Sequence, residues 1–475
     1  MFRQSSPKAP EGWSKLRWYG PGLLWMLSAV GTGSILFTPR VAAVYEYQLF
    51  WLLLLVVFFM WVMIREMARF SIVTGQTMLE GLSTLKGPAN WAVWFIFVPQ
   101  LLAASVGIAG LAGVVGSALQ SILPGGASLY ACLLIVLSTV FIASGQYSVI
   151  ERFSRVMALL LMIMVIVAAV VVSPNVSDVV SGMKPSWPSD PDLYIILPWV
   201  GTILAGSMGI LWFGYWTATR GFGGGIESPD EDDECEHSAS SEDANRPDEA
   251  ARQERAQGWI KVMTGAATLG VIGGLVVITS FLILGAELLA PEGKVPKGAG
   301  VAVDLTGLFS DVWGSVGEYL LLAAIVIALG GSVLANQDGW GRSFADITLI
   351  LTRKQRNSGE LNKALMAAKR AAGKLGFALF KRRHLKRIFV ITITGLVPIA
   401  IVLAFKNPVK VMSASGIIAA MHTPFIALSA LYVNRTRLPK TLQPSLMVTI
   451  FMVAAGIFYL GFAGVYLWDL LLNSQ

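Results

Sequence analysis

The feature that most constrains this chain is a series of long apolar segments, each close to the length that crosses a bilayer. A membrane-spanning helix needs about 20 consecutive, mostly apolar residues. Charged residues make up only 14% of the 475-residue chain, against about 25% in soluble domains. We therefore predict an all-α integral membrane protein with eleven transmembrane helices, at about 20–42, 48–68, 92–122, 128–145, 152–173, 193–218, 258–288, 313–337, 388–405, 411–432 and 445–470.

Basic residues are distributed unevenly between the two sides of these segments. The connections on the side of the N-terminus hold most of the Lys and Arg, as at Arg65 and between Arg342 and Arg387, whereas the opposite connection 123–126 has none. Because cytoplasmic loops are enriched in Lys and Arg, we predict an inner (plasma) membrane protein with a cytoplasmic N-terminus and an extracytoplasmic C-terminus. The net charge of +7 then reflects topology rather than nucleic-acid binding.

Two polar connections are unusual. Residues 226–256 are rich in Asp, Glu, Ser and Pro, which predicts a disordered acidic loop at 222–257. Within it, Glu234-Cys235-Glu236-His237 is interpreted as solvated acidic chain rather than a metal site, because nothing around it fixes ligand geometry. In the basic loop 342–387, residues 353–387 have helical spacing of apolar residues and predict an amphipathic helix on anionic lipid, with a partner site as the alternative.

Glycine clusters interrupt the first and the sixth apolar segments. Glycine costs about 1 kcal/mol in a helix interior, so each cluster indicates either a helix break or close packing through small residues. Their five-segment separation places them at equivalent positions of two halves, which is typical of inverted-repeat transporters that bind substrate at broken helices. The predicted substrate site comprises Gly31, Thr32, Gly33, Ser34, Gly206, Ser207, Met208, Gly209, Ile210 and Trp212.

The sequence resembles the Nramp family of divalent metal transporters over most of its length. The motifs that carry the resemblance are Gly20-Pro21-Gly22, the ungapped stretch from there to Ala68–Gly75, and Thr423-Pro424-Phe425 in the tenth segment. The resemblance implies a LeuT-type fold with two inverted five-helix repeats plus one helix, and helices 1 and 6 broken at the bilayer midplane. The expected divisions are a cytoplasmic segment 1–19, repeats at 20–175 and 190–432, and a last helix at 444–475.

The residues that hold the metal in that family are replaced in this chain. The resemblance aligns the family's Asp and Asn of the first helix with Gly31 and Ser34, and its Met and His of the sixth helix with Ile210 and Trp212. The third segment, 91–123, has no acidic residue. We therefore predict no metal site and no cofactor, with sodium as a candidate coupling ion.

A site without acidic residues favours an anion. If the N-terminus is inside, the second halves of helices 1 and 6 both begin at the site and direct amide donors toward it. We predict a secondary active transporter of a small inorganic anion, working by alternating access. A divergent Nramp-related branch with altered site residues has been associated with bicarbonate, and the chain resembles it. The candidate vestibule residues are Arg40, which alternatively pairs with Glu46, Arg220, which alternatively marks the membrane boundary, and His422.

Two other functions stay open at this point. Mg²⁺ keeps its waters readily, so carbonyls and hydroxyls could hold a hydrated ion, which is the divalent cation alternative. The other alternative is a non-transporting receptor or scaffold. An enzyme is not predicted, because His237 and His384 lie in loops, His422 stands alone and no nucleophile–base arrangement occurs. We expect a monomer in the lipid bilayer whose partner is a small inorganic ion and not nucleic acid.

Overall fold

The described part of the protein is built from α-helices joined by short turns. The structure, a computed structural model, describes residues 6–473 except 30, 32, 89, 145–146, 226–248, 299–300 and 358–381, and no β-strand occurs among them. The helices are α1 (Gly20–Ala29), α2 (Thr38–Tyr45), α3 (Phe50–Thr74), α4 (Met78–Ser83), α5 (Trp91–Gln120), α6 (Ala127–Ser144), α7 (Tyr147–Val172), α8 (Val176–Ser181), α9 (Leu193–Thr202), α10 (Ser207–Thr219), α11 (Glu249–Leu284), α12 (Val301–Asn357), α13 (Arg382–Ile391), α14 (Val397–Ala404), α15 (Pro408–Arg437) and α16 (Leu446–Asn473).

All eleven predicted apolar segments fall on helices. Eight helical stretches within the described residues are long and apolar enough to cross a membrane, namely Phe50–Thr74, Trp91–Gln120, Ala127–Ser144, Leu193–Thr219, Glu249–Leu289, Arg382–Ala404, Pro408–Arg437 and Leu446–Asp469. The first apolar segment is divided into helices of 10 and 8 residues, each shorter than a bilayer crossing. The integral membrane class is confirmed, while the number of eleven spans stays a prediction.

The acidic loop is shorter at both ends than the predicted 222–257. At its start, Phe222–Gly224 forms a 3₁₀ turn in which the buried Phe222 ring contacts Trp18 and Trp259. At its end, α11 begins at Glu249, because Glu, Ala, Arg and Gln are good helix formers. Residues 226–248, which include Glu234–His237, lie outside the described residues.

The predicted amphipathic helix at 353–387 falls mainly on residues 358–381, outside the described part. On one side of that gap, α12 continues from the apolar segment to Asn357. On the other side, Arg382–Ile391 is helical and leads into the next apolar segment. The prediction of a helix lying on lipid therefore stays a prediction.

The two halves of the sixth segment are held by different neighbours. α9 packs on α15, and α10 packs on α3. The first of these contacts depends on glycine, since a Cβ added at Gly201 would lie 2.0 Å from the carbonyl oxygen of Gly416, and one at Gly416 would lie 2.7 Å from that of Pro198. Because each half has its own packing partner, the position of the break between them is fixed.

A buried ion pair within α3 is hydrogen-bonded to α15. Glu66 is fully buried, and its Oε2 accepts hydrogen bonds from Arg69 Nε at 2.8 Å and from Asn434 Nδ2 at 3.3 Å. Asn434 Nδ2 also donates to the Glu66 carbonyl at 2.9 Å, and the Arg69 guanidinium donates to the carbonyl of Leu442 at 3.3 Å. The network therefore fastens α3 to the end of α15 and to the turn that follows it.

We expect the Glu66→Gln variant to be strongly destabilised, because it leaves the Arg69 guanidinium buried without its counter-charge. Removing one partner of a buried ion pair costs about 3–5 kcal/mol. The matched control is Glu292→Gln, which breaks the pair with Lys294, whose side chains are 47% and 60% exposed; such pairs contribute about 0–1 kcal/mol. Thermal unfolding of the purified variants checks this, and equal melting temperatures for the two would contradict it.

Candidate functional site

The first segment is broken where the glycine cluster predicts. α1 ends at Ala29, and a π-helical turn, Gly33–Phe37, comes before α2. A Cβ added at Gly33 would lie 2.1 Å from the carbonyl oxygen of Thr202, so the break approaches the end of α9 more closely than any side chain permits. Thr38 Oγ1 donates to the Gly33 carbonyl at 2.7 Å and completes the turn. Of the four predicted residues here, Thr32 lies outside the described residues.

The sixth segment is broken slightly earlier than predicted. The chain leaves helical conformation after Thr202 and resumes it at Ser207, and Leu204 has a φ of 63°. Ser207, Met208 and Gly209 therefore form the first turn of α10 instead of the unwound stretch. The amides of a first helical turn have no carbonyl of their own helix to bond, so those of Ser207 and Met208 point toward the break.

Two fully buried tryptophans enclose the breaks. Trp25 on α1 donates from Nε1 to the carbonyl of Gly209 at 3.3 Å, and Trp199 on α9 donates from Nε1 to Thr38 Oγ1 at 3.0 Å. Each ring links the first half of one broken segment to the second half of the other. Neither tryptophan was predicted as a site residue, because a tryptophan within an apolar segment usually belongs to the core.

A chain of buried polar side chains reaches the start of α10 from α5 and α15. Gln100 is fully buried, and its Nε2 lies 2.7 Å from Ser207 Oγ and 2.6 Å from His422 Nδ1. Gln100 was not among the predicted site residues. The sequence feature that could have indicated it is a polar carboxamide next to Pro99 in an otherwise apolar segment. His422, expected to stand alone, instead contacts Gln100 and is 4% exposed, and its assignment to a vestibule stays a prediction.

The two arginines predicted for the vestibule differ in their surroundings. Arg40 on α2 is partly buried, and its Nε is buried without a hydrogen-bond partner among the described residues. The carboxylate that acts on Arg40 is Asp192 at the start of α9, not Glu46, which was the alternative partner. Arg220 is exposed at the end of α10, as expected of a boundary residue. Arg40 is therefore the charged residue best placed above the breaks.

Tyr47 fastens the turn after α2 to the end of α11. Its hydroxyl donates to Glu287 Oε1 at 2.7 Å, and Glu287 belongs to the π-helical turn Gly285–Leu289. Burial of the ring and this hydrogen bond both raise the pKa of Tyr47, so its hydroxyl stays protonated and remains a donor at neutral pH. This hydrogen bond thereby holds the end of α2 that lies away from the break against the end of α11.

The other predicted site residues of the sixth segment, all on α10, have different environments. Ile210 is fully buried, and Met208 is 2% exposed in the first turn of α10. Trp212 donates from Nε1 to Ser343 Oγ at 3.0 Å and stacks edge-on against Trp340 at a ring distance of 5.4 Å. Trp212, which was predicted to lie at the substrate site, therefore contacts α12 instead of the breaks.

Acidic residues do not occur in the two broken segments or in the helices that carry Gln100 and His422, although α3, which packs on α10, holds the buried Glu66 paired with Arg69. α1, the π-helical turn, α2, α5, α9, α10 and α15 contain no Asp and no Glu. Across the described residues, no group of three or more His, Cys, Asp or Glu is arranged to hold a metal ion. The polar groups of the site are backbone amides, hydroxyls, one carboxamide and one imidazole. Two broken helices that share one enclosed polar site, in a chain of membrane-length helices, define a transporter of the inverted-repeat class.

The sequence also identifies the family. Residues 22–337 match the family described as natural resistance-associated macrophage protein-like, or Nramp, and the chain belongs to that family. It is therefore a multi-pass membrane protein that transports a small ion by alternating access, and it is not an enzyme. Among curated protein sequences, none matches the chain.

Several solved transporters share the fold at low sequence identity. A manganese transporter from Eremococcus coleocola is 14% identical with a TM-score of 0.68, and the match covers 98% of this chain and 89% of that one. Mhp1, a nucleobase-cation-symport-1 family transporter in a closed conformation, is 13% identical with a TM-score of 0.51, covering 98% and 95%. MhsT in complex with L-phenylalanine is 14% identical with a TM-score of 0.51, covering 97% and 98%. The predicted LeuT-type fold is confirmed.

Proposed function

We propose that this transporter carries a small inorganic anion, with bicarbonate as its substrate. The observation that carries the proposal is the start of α10, where the amides of Ser207 and Met208 point toward a break whose own two segments, with α5 and α15, contain no acidic residue. A helix N-terminus is equivalent to roughly half a positive charge, and nothing in these elements neutralises it. Backbone amides at such a terminus bind small oxyanions directly.

The positive charge of Arg40 also supports a negatively charged substrate. Arg40 lies in the second half of the first broken segment, with its Nε buried and without a hydrogen-bond partner in the described chain. The carboxylate that acts on Arg40, that of Asp192, already accepts from the amide of Tyr194 at 2.8 Å as the cap of α9. A guanidinium that is only partly balanced raises the local concentration of anions.

A divalent cation is the second candidate, because the chain belongs to the Nramp family and shares its fold with a manganese transporter. A dehydrated cation requires anionic ligands to offset its lost hydration. The buried groups near the α10 start that could contact it directly are neutral, such as the Gln100 carboxamide and the Met208 thioether. A hydrated Mg²⁺ ion is thus the form of this candidate that the site would best accept.

Uptake into proteoliposomes separates these functions. We expect the protein to accumulate radiolabelled bicarbonate at mildly alkaline pH above protein-free vesicles, and to leave Mn²⁺ and Mg²⁺ outside. Uptake of either metal without bicarbonate would establish the cation function instead. Folded protein that moves none of the three would favour a receptor or scaffold. Repeating the assay with and without a sodium gradient tests the proposed coupling ion.

A further inference from the structure

The carboxamide oxygen of Gln100 is a buried acceptor beside the start of α10 that has no hydrogen-bond partner among the described residues. Gln100 is fully buried, and both of its nitrogen contacts, to Ser207 Oγ and His422 Nδ1, are made by Nε2. Its carbonyl oxygen, Oε1, is buried without any hydrogen bond. Leaving a buried acceptor unpaired is unfavourable, so such an atom in a native structure calls for a ligand or another explanation.

The surroundings of His422 favour one orientation of the Gln100 carboxamide. Pro99 has no N–H, so the carbonyl of Phe95, four residues earlier in α5, lacks its helical donor. That carbonyl interacts with the His422 imidazole. With the ring proton on Nε2, Nδ1 is an acceptor and takes a hydrogen bond from the Gln100 amino group, which is the arrangement in which Gln100 Nε2 makes both of its contacts. Reversing the amide would set the lone pair of His422 Nε2 against the Phe95 carbonyl.

The unpaired acceptor lies among donors. Ser207 Oγ accepts from Gln100 Nε2, which leaves the Ser207 hydroxyl proton available, and the amides of Ser207 and Met208 begin α10 at the same place. The complementary ligand carries negative acceptor oxygens together with one hydrogen-bond donor of its own. Bicarbonate has this pattern, since it bears a hydroxyl. Nitrate and formate are planar anions of similar size that have acceptors only.

We infer that Gln100 is a specificity-determining residue that selects hydrogen-bearing oxyanions, its Oε1 accepting a hydrogen bond from the hydroxyl of the substrate. The inference rests on the proposed anion transport and deepens it by naming the substrate class. A site built to hydrogen-bond a substrate hydroxyl discriminates against analogues without it, because its own polar group is then left unpaired. For one buried acceptor we expect roughly 10- to 100-fold discrimination.

The wild-type protein provides the first test. Nitrate and formate are added as competitors of radiolabelled bicarbonate uptake, and their own uptake is measured in the same proteoliposomes. We expect both to be carried or to compete roughly 10- to 100-fold less well than unlabelled bicarbonate. Equal handling of nitrate and bicarbonate would overturn the inference while leaving anion transport standing. Absence of uptake for all three anions would overturn the proposed function itself.

The Gln100→Met variant provides the second test. Methionine is unbranched and of similar length, and it removes the acceptor; we expect the ratio of bicarbonate to nitrate uptake to fall toward one. The matched control is Gln337→Met on α12, since Gln337 is equally buried with an unpaired Oε1 but bonds to Thr139 and to the carbonyl of Thr394, away from α10. The ratio does not depend on the amount of active protein. A wild-type ratio in Gln100→Met, or an equal loss in both variants, would contradict the proposal.

Discussion

The Gly31→Asp variant is expected to lose anion uptake by two orders of magnitude or more. Gly31 lies in the turn between α1 and the π-helical turn, is partly exposed, and accepts a hydrogen bond at its carbonyl from the amide of Ile35 at 2.9 Å. A carboxylate there places a full negative charge among helix ends that each carry roughly half a positive charge. Like charges only a few ångströms apart in a poorly hydrated site repel by several kcal/mol.

The control for this prediction is Gly31→Asn, which has nearly the same shape as aspartate and no charge. Bicarbonate uptake into proteoliposomes should fall far more in the Asp variant than in the Asn variant, and uptake of Mn²⁺ and Mg²⁺ is measured in parallel. A similar loss in both variants would show that the side chain acts by its volume. Full anion uptake by Gly31→Asp would remove the electrostatic basis of the proposed function.

The second large effect is expected from Gly33→Ala, two residues away. The added Cβ would lie 2.1 Å from the carbonyl oxygen of Thr202, and the contact is with backbone that cannot rotate away. Relieving it separates the first break from the end of α9, so we expect a loss of about 1–3 kcal/mol of stability. We expect bicarbonate uptake to be lost with it, because Thr38, which bonds Gly33, also holds Trp199.

Gly461→Ala on α16 is the matched substitution, since a Cβ there meets nothing within 4 Å. Alanine in an exposed helix position is stabilising by about 0.5–1 kcal/mol. The melting temperatures of the two variants should therefore change in opposite directions, while the uptake rate falls in Gly33→Ala and is unchanged in Gly461→Ala. If Gly33→Ala melted and transported like the wild type, the close approach of the two broken segments would not be a requirement of the fold.

The tryptophan contacts indicate what must change during transport. Trp25 and Trp199 are both fully buried, and each links halves of different broken segments. Alternating access requires the site to open to one side at a time, so only one of these links can be released in each open state. In this structure both links are made.

Parts of this arrangement were predictable because they depend on local sequence. Long apolar segments require membrane helices, and glycine clusters five segments apart indicated the two breaks. The early start of α10 at Ser207 was not predictable to the residue, since the unwinding depends on how α9 and α10 pack on α15 and α3. Trp212 was expected at the site by its position, yet its indole bonds Ser343 because its side of α10 faces α12.

The sequence by itself determined that the chain is a helical membrane protein with two interrupted segments and no acidic residue near them, because hydropathy, glycine content and charge are properties of the residues alone. Only the tertiary structure decided that Gln100, Ser207 and His422 meet. They lie on three helices separated by more than a hundred residues of sequence, and no local pattern specifies which faces of packed helices come into contact. Whether a buried polar group such as the Gln100 carboxamide finds a hydrogen-bond partner is therefore decided by the packing of the helices.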